Sequence, residues 1–129
     1  MADQQDLARE LLTRAQDDER AAQALLPAGD VSDTIVGFHA QQAVEKALKA
    51  VLASAGAEFP FTHNLGLLMQ LCEDAGLDLP QSLSEVDMLT PYAAQVRYGS
   101  VPAVTASRSA MLDLASEATE WAAAILQPG

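Results

Sequence analysis

The chain has 129 residues, half of them hydrophobic and only six aromatic, with 18 acidic against 7 basic residues and a formal net charge of −11. That length suits one domain over residues 1–129 with a real core, and the charge repels polyanions, so general coating of DNA or RNA is excluded. The lone cysteine, Cys72, forbids an internal disulfide and fits a reducing compartment. With no apolar run near the ~20 residues of a membrane span, and with the acidic start MADQQD unlike a signal peptide, a cytoplasmic protein without membrane contact is expected.

Ala dominates the hydrophobic half, and β-branched and aromatic residues are sparse, which favours closely packed helices over sheets. The first helix is expected from about Gln4 to Leu26, on the recurrence of Leu7, Leu11, Ala15, Ala22 and Leu25. Pro27, Gly29 and Asp30 break it. Ser32 or Asp33 can cap a second helix that runs to about Ser54 and ends at Gly56. Thr62 or Asn64 can cap a third, through about Ala75, which Gly76 closes. A fourth begins near Ser82 and ends about Tyr98, with Pro91 either kinking it or restarting it with Thr90 as cap. The last runs from about Ala103 to Leu126, with Met111, Leu114, Ala118, Trp121 and Ile125 as its apolar stripe. The fold class is therefore all-α, an up-and-down bundle of four to five helices.

The second helix separates into two faces at 100° per residue. With His39 at zero, Glu45, Lys49, Gln42, Lys46 and His39 share one arc of about 120°, while Val36, Ala40, Ala43, Val44, Ala47, Leu48 and Val51 share another. Both lysines of the chain lie in the polar arc. Exposed helix lysines carry little weight in folding, so replacing both is expected to change stability by under about 1 kcal/mol; one reading is a solvated face, with Glu45 and Lys49 as an i,i+4 pair worth a few tenths of a kcal/mol. The other is a site for a partner or a small anion, because scarce positive charge gathers there beside Ile35 and Phe38.

Asp18 falls on the apolar stripe of the first helix, where a carboxylate needs a partner. His39, Lys46 and Arg97 are the candidates, and a position at the stripe's edge in water is the other possibility. His63, in THN, reads as a capping or loop residue, and Arg97 as a cation at a helix C-terminus or a contact to phosphate or carboxylate. Cys72 reads as a buried small hydrophobe. No paired Glu-x-x-His elements, metal-ligand spacing or Gly-rich phosphate loop occurs in the sequence, so neither a metal nor a cofactor is expected.

The run FHAQQAVEKALKAVL, followed by THNL and PYAAQVRYG, resembles the HEPN domain family of small helical-bundle proteins. AQDDERAAQALL resembles the family's first helix and places Asp18 where that helix usually bears an acid. The resemblance extends over about residues 10 to 125. It implies a bundle that is usually dimeric, and the stripes holding Ile35, Phe38 and Trp121 fit a homodimer. Many members bind a minimal nucleotidyltransferase in toxin–antitoxin-like pairs, and nucleotide binding was the role first proposed for the family.

A subset are metal-independent ribonucleases bearing Arg, four to six residues, then His. Here YGSVPAVTASRS follows Arg97 without a histidine, so Arg97 and Tyr98 match the non-catalytic variety. The family's second-helix positions then carry over to His39, Gln42, Glu45, Lys46 and Lys49 as a binding surface. The competing expectation is a divergent ribonuclease in which His39 or His63 replaces the missing base.

Overall fold

The computed structural model describes residues 3–93 and 107–127, and all regular structure among them is helical. Helix α1 spans Gln4–Leu25, with the Asp3 side chain accepting from the Asp6 amide. Helix α2 spans Asp33–Ser54, capped by Ser32, and α3 spans Leu65–Asp74, capped by Asn64. Gly56 and Gly76 follow α2 and α3 with φ of 75° and 83°, the left-handed turn that glycine adopts without Cβ strain. The last helix, α4, spans Arg108–Leu126 and is capped by Ser107.

The expected fourth helix differs. Residues Gln81–Leu83 and Val86–Leu89 form two 3₁₀ turns, and α-helix begins only over 90–93. Leu83, Val86 and Leu89 are all buried, and their spacing of three matches the 3.0-residue period of a 3₁₀ turn. Thr90 is helical rather than an extended cap. Its hydroxyl instead accepts from the Leu65 amide at 3.1 Å, helping to cap α3. Ser107 is extended, so α4 starts later than Ala103; residues 103–106 lie outside the described ones.

Helix α2 is the axis of the bundle. Fourteen of its 22 residues are buried, and it packs against α1, α3, α4 and the second 3₁₀ turn. On α1 the fully buried residues are Ala8, Ala15 and Ala22, a seven-residue seam of small side chains that lets the two backbones approach closely. The expected stripe holds at Ala15, Ala22 and Leu25 and departs at its start, where Leu7 is exposed, Leu11 is half-buried and Ala8 takes the buried place. Trp121 and Ile125 pack partly against the core, which gives Trp121 an intramolecular role.

Two polar ties lock this arrangement. Ser116 Oγ and Thr119 Oγ1 on α4 donate to the Glu19 carboxylate of α1 at 2.7 and 2.6 Å. Arg108 stands in the first turn of α4, where the helix dipole disfavours a cation. Its guanidinium turns away and donates to the carbonyls of Leu25 and Ala28 at 2.9 Å, to that of Val31, and to Asp33 Oδ1 at 2.5 Å. One side chain thereby satisfies the orphan carbonyls at the end of α1 and fixes the turn into α2. Cys72 is fully buried, and burial foremost, with Glu73 adding to it, pushes its thiol up to about 12, which leaves it protonated and inert.

Candidate functional site

The polar arc of α2 lies between α1 and the connection leading to α3, and two carboxylates organise it. Each one bridges a lysine and a histidine. Asp18 Oδ2 accepts from Lys46 Nζ at 2.5 Å, and Asp18 Oδ1 lies 3.0 Å from His39 Nδ1. An ionised carboxylate only accepts, so the proton of that ring sits on Nδ1. The Asp18 side chain keeps 14 % of its surface exposed. The acid beside the α1 stripe is therefore partnered by two of the three expected candidates. The third, Arg97, and Tyr98 with it, lie outside the described residues.

Glu45 forms the second cluster, one turn further along α2. Lys49 Nζ donates to Oε2 at 3.0 Å, while Gln41 Nε2 and His63 Nδ1 reach Oε1 at 3.0 and 2.7 Å. Gln41 also donates to the His63 carbonyl at 3.2 Å and accepts from Gln42 Nε2 at 2.7 Å. Glu45 is only 5 % exposed. Burial pushes its carboxyl up, but hydrogen bonds from Gln41, His63 and Lys49, with the Lys49 charge, outweigh this and hold it below the usual value of 4.5. Lys49 Nζ also lies 5.9 Å from the centre of the Phe59 ring.

These contacts change the character of the arc. Lys49 is 12 % exposed at its side chain and both lysines are held by carboxylates, so the arc is not a solvated face of loose cations. Each carboxylate is matched by one lysine. His39, Gln42, Lys46 and Phe38 are half-buried and Ile35 is exposed; together they form an edge whose polar groups are held by Asp18, through His39 and Lys46, and by Gln41, through Gln42. The rings of Phe38 and His39 meet edge to face at 5.5 Å.

One residue of the site, Gln41, escapes the sequence reading, and so does the partner of another, His63. Gln41 lies beside the apolar arc and is fully buried; its only signal is Glu45 one turn later. His63 is a loop residue ahead of the Asn64 cap, as its sequence context suggests, yet it is also the partner of Glu45, 18 positions away, and no local pattern announces that. Among the described residues no three His, Cys, Asp or Glu side chains converge on a metal-sized site, and no helix is long and apolar enough to cross a membrane.

Hollows of about 290, 390 and 210 Å³ lie at the Lys49 end of the arc and share Leu7 on their walls. A larger one, about 440 Å³, lies elsewhere, between α4 and the 3₁₀ turns, with Glu85, Asp113 and Glu117 on its wall. Its sign opposes any anionic ligand.

Comparison with known proteins gives two matches. The model of the HEPN domain family fits residues 8–127. TT1696 from Thermus thermophilus, known from its crystal structure, is 35% identical in sequence, with 92% of each chain covered and a TM-score of 0.60. No curated protein matches the chain.

Proposed function

The chain belongs to the HEPN domain family, and from that premise we propose that it is a dimeric binding module whose α2 edge docks a minimal nucleotidyltransferase in a toxin–antitoxin-like pair. The observation that supports this is the edge itself: Ile35, Phe38, His39, Gln42 and Lys46 project from the most deeply packed helix, and Asp18 holds His39 and Lys46 in place. A partner meeting such an edge pays little side-chain ordering entropy. Mixed aromatic and hydrogen-bonding groups suit the centre of a protein interface. A nucleotide ranks behind a protein here, because both lysines already face a carboxylate and leave it no uncompensated positive charge.

The test begins with gene order and co-purification: a small nucleotidyltransferase encoded beside this chain should be retained on it after co-expression. A neighbour that does not bind contradicts the reading.

One observation favours a second reading, a divergent metal-independent ribonuclease. His63 is 61 % exposed, and its Nδ1 is anchored on buried Glu45, the orientation of a positioned base. The cation of this cluster, Lys49, is however half-buried against the same carboxylate and poorly placed to steady a phosphate. Incubation with tRNA and single-stranded RNA should give no cleavage above background. Cleavage that His63→Gln or Arg97→Ala abolishes, in a folded protein, would promote the enzyme reading.

A further inference from the structure

The two bridging carboxylates also decide which atoms of the α2 edge are left to face a partner. Asp18 and Glu45 each hold a lysine, Lys46 at 2.5 Å and Lys49 at 3.0 Å, and an ionised carboxylate only accepts hydrogen bonds. His39 therefore gives its Nδ1 proton to Asp18 Oδ1 across 3.0 Å, and in the neutral ring so oriented Nε2 is an acceptor.

The second carboxylate acts through two amides. Gln41 Nε2 lies 3.0 Å from Glu45 Oε1 and 3.2 Å from the His63 carbonyl, and both of these only accept, so the Gln41 amide cannot be turned round. Its Oε1 is then an acceptor, and Gln42 must bring Nε2 to it, at 2.7 Å. That leaves the Gln42 carbonyl oxygen, with one N–H beside it. Among the described residues neither His39 Nε2 nor Gln42 Oε1 has a hydrogen-bond partner.

His39 and Gln42 are i,i+3 neighbours on one helix face, about 5–6 Å apart at Cβ. Two acceptors side by side call for two donors. Arg presents five N–H groups in a flat fork, whereas Lys is a single hydrated point charge. The half-buried Phe38 ring, edge to face with His39 at 5.5 Å, suits a planar cation, and Ile35, 40 % exposed, suits the methylene stem behind it. The one cation among these neighbours, Lys46, is already matched by Asp18. A chain of net charge −11 draws a basic group from a distance.

We propose that the α2 edge receives an arginine of the partner protein, whose guanidinium donates to His39 Nε2 and Gln42 Oε1 beside the Phe38 ring. The proposal rests on the docking reading above and names the chemistry that the partner brings to it. Asp18 and Gln41 are the positioning residues, since they fix the two acceptors without facing the partner themselves.

Calorimetric titration tests it, with a minimal nucleotidyltransferase from a gene adjoining this one as the probe. His39→Arg still pairs with Asp18 but replaces the outward acceptor by a cation, while His39→Gln keeps the pairing and an outward carbonyl. The probe should bind His39→Arg roughly tenfold or more weakly than His39→Gln. Gln42→Lys still donates to Gln41 and should lose roughly tenfold or more against the wild type. Changing the probe's exposed arginines to lysine one at a time should find one whose loss does not add to that of Gln42→Lys. Helical circular dichroism should be the same for every variant.

Nitrogen NMR of His39 in the free chain at neutral pH should show Nε2 without a proton. A proton there makes the ring a donor and overturns the proposal. A wild type that does not bind the probe overturns the docking reading and the arginine together. A wild type that binds, with His39→Arg and Gln42→Lys binding equally well or with no arginine of the probe coupled to Gln42, overturns the arginine alone.

Discussion

Glu45→Ala removes the carboxylate on which three donors converge. Glu45 is 5 % exposed and the Lys49 side chain 12 %, so the substitution leaves a half-buried ammonium and one buried Gln41 N–H without an acceptor. Removing one partner of a buried ion pair costs about 3–5 kcal/mol. His63 is well exposed and returns to water at little cost, and the Phe59 ring still faces Lys49, so the expected loss is about 2–4 kcal/mol. For a domain of this size that lowers Tm by about 10 °C.

Thermal and urea unfolding of Glu45→Ala, with Glu45→Gln as the variant that keeps shape without charge, measure the effect. A loss under about 1 kcal/mol for Glu45→Ala, the range of exposed pairs, would refute the buried cluster. The pH dependence follows from the same geometry. The folded carboxyl lies below its ordinary 4.5, so its stabilisation is complete above that pH and disappears as pH falls through the folded value. Wild-type stability should therefore fall on acidification below 4.5, and more steeply than that of Glu45→Gln.

Further outcomes follow from the packing of α2. A Cβ on Gly37 would lie 2.3 Å from the Tyr92 ring, and Tyr92 is buried, so Gly37→Ala should cost about 1–3 kcal/mol in thermal unfolding. Gly29→Ala, with nothing within 4 Å, serves as the neutral control. Lys46→Gln with Lys49→Gln leaves Asp18 and Glu45 without their cations, and should cost about 2–3 kcal/mol by urea unfolding; a change below about 0.5 kcal/mol would restore the solvated-face reading.

Much of the fold is legible in the sequence because its signals are local. The caps Ser32 and Asn64 and the glycines 56 and 76 mark helix ends by their own chemistry, and the alternation of α2's faces follows from a 100° step. The segment 81–89 reads as α-helix in the sequence because Leu83, Val86 and Leu89 recur at three, a spacing that α and 3₁₀ helices both present over so short a run. The α1 stripe is read correctly at Ala15 and Ala22 but wrongly at its start, because Ala8 gives a weaker apolar signal than Leu7, although close packing favours the smaller side chain.

The site is legible to the same extent. Asp18 announces its need for a partner, since a carboxylate beside an apolar seam requires one, and residue type narrows the partners to three candidates, two of which are observed. Burial of Lys49 and Glu45 is not legible. A helical wheel shows which residues share an arc, but not that the connection at 57–63 folds back over it. The same applies to Arg108, whose acceptors lie up to 83 positions away.

The most direct test is calorimetric titration of a minimal nucleotidyltransferase, taken from a gene adjoining this one, into wild type and into the double variant Ile35→Ser with Gln42→Ala. Neither residue bonds to the two bridging carboxylates, but Gln42→Ala leaves the buried Gln41 Oε1 without its donor, so unfolding should shift by about 1–3 kcal/mol with the fold retained. Binding by the wild type, weakened roughly tenfold or more in the variant, a loss of about 1.4 kcal/mol, is the predicted result. Equal binding by the two proteins, or none by the wild type, would contradict the claim that the α2 edge is a docking surface.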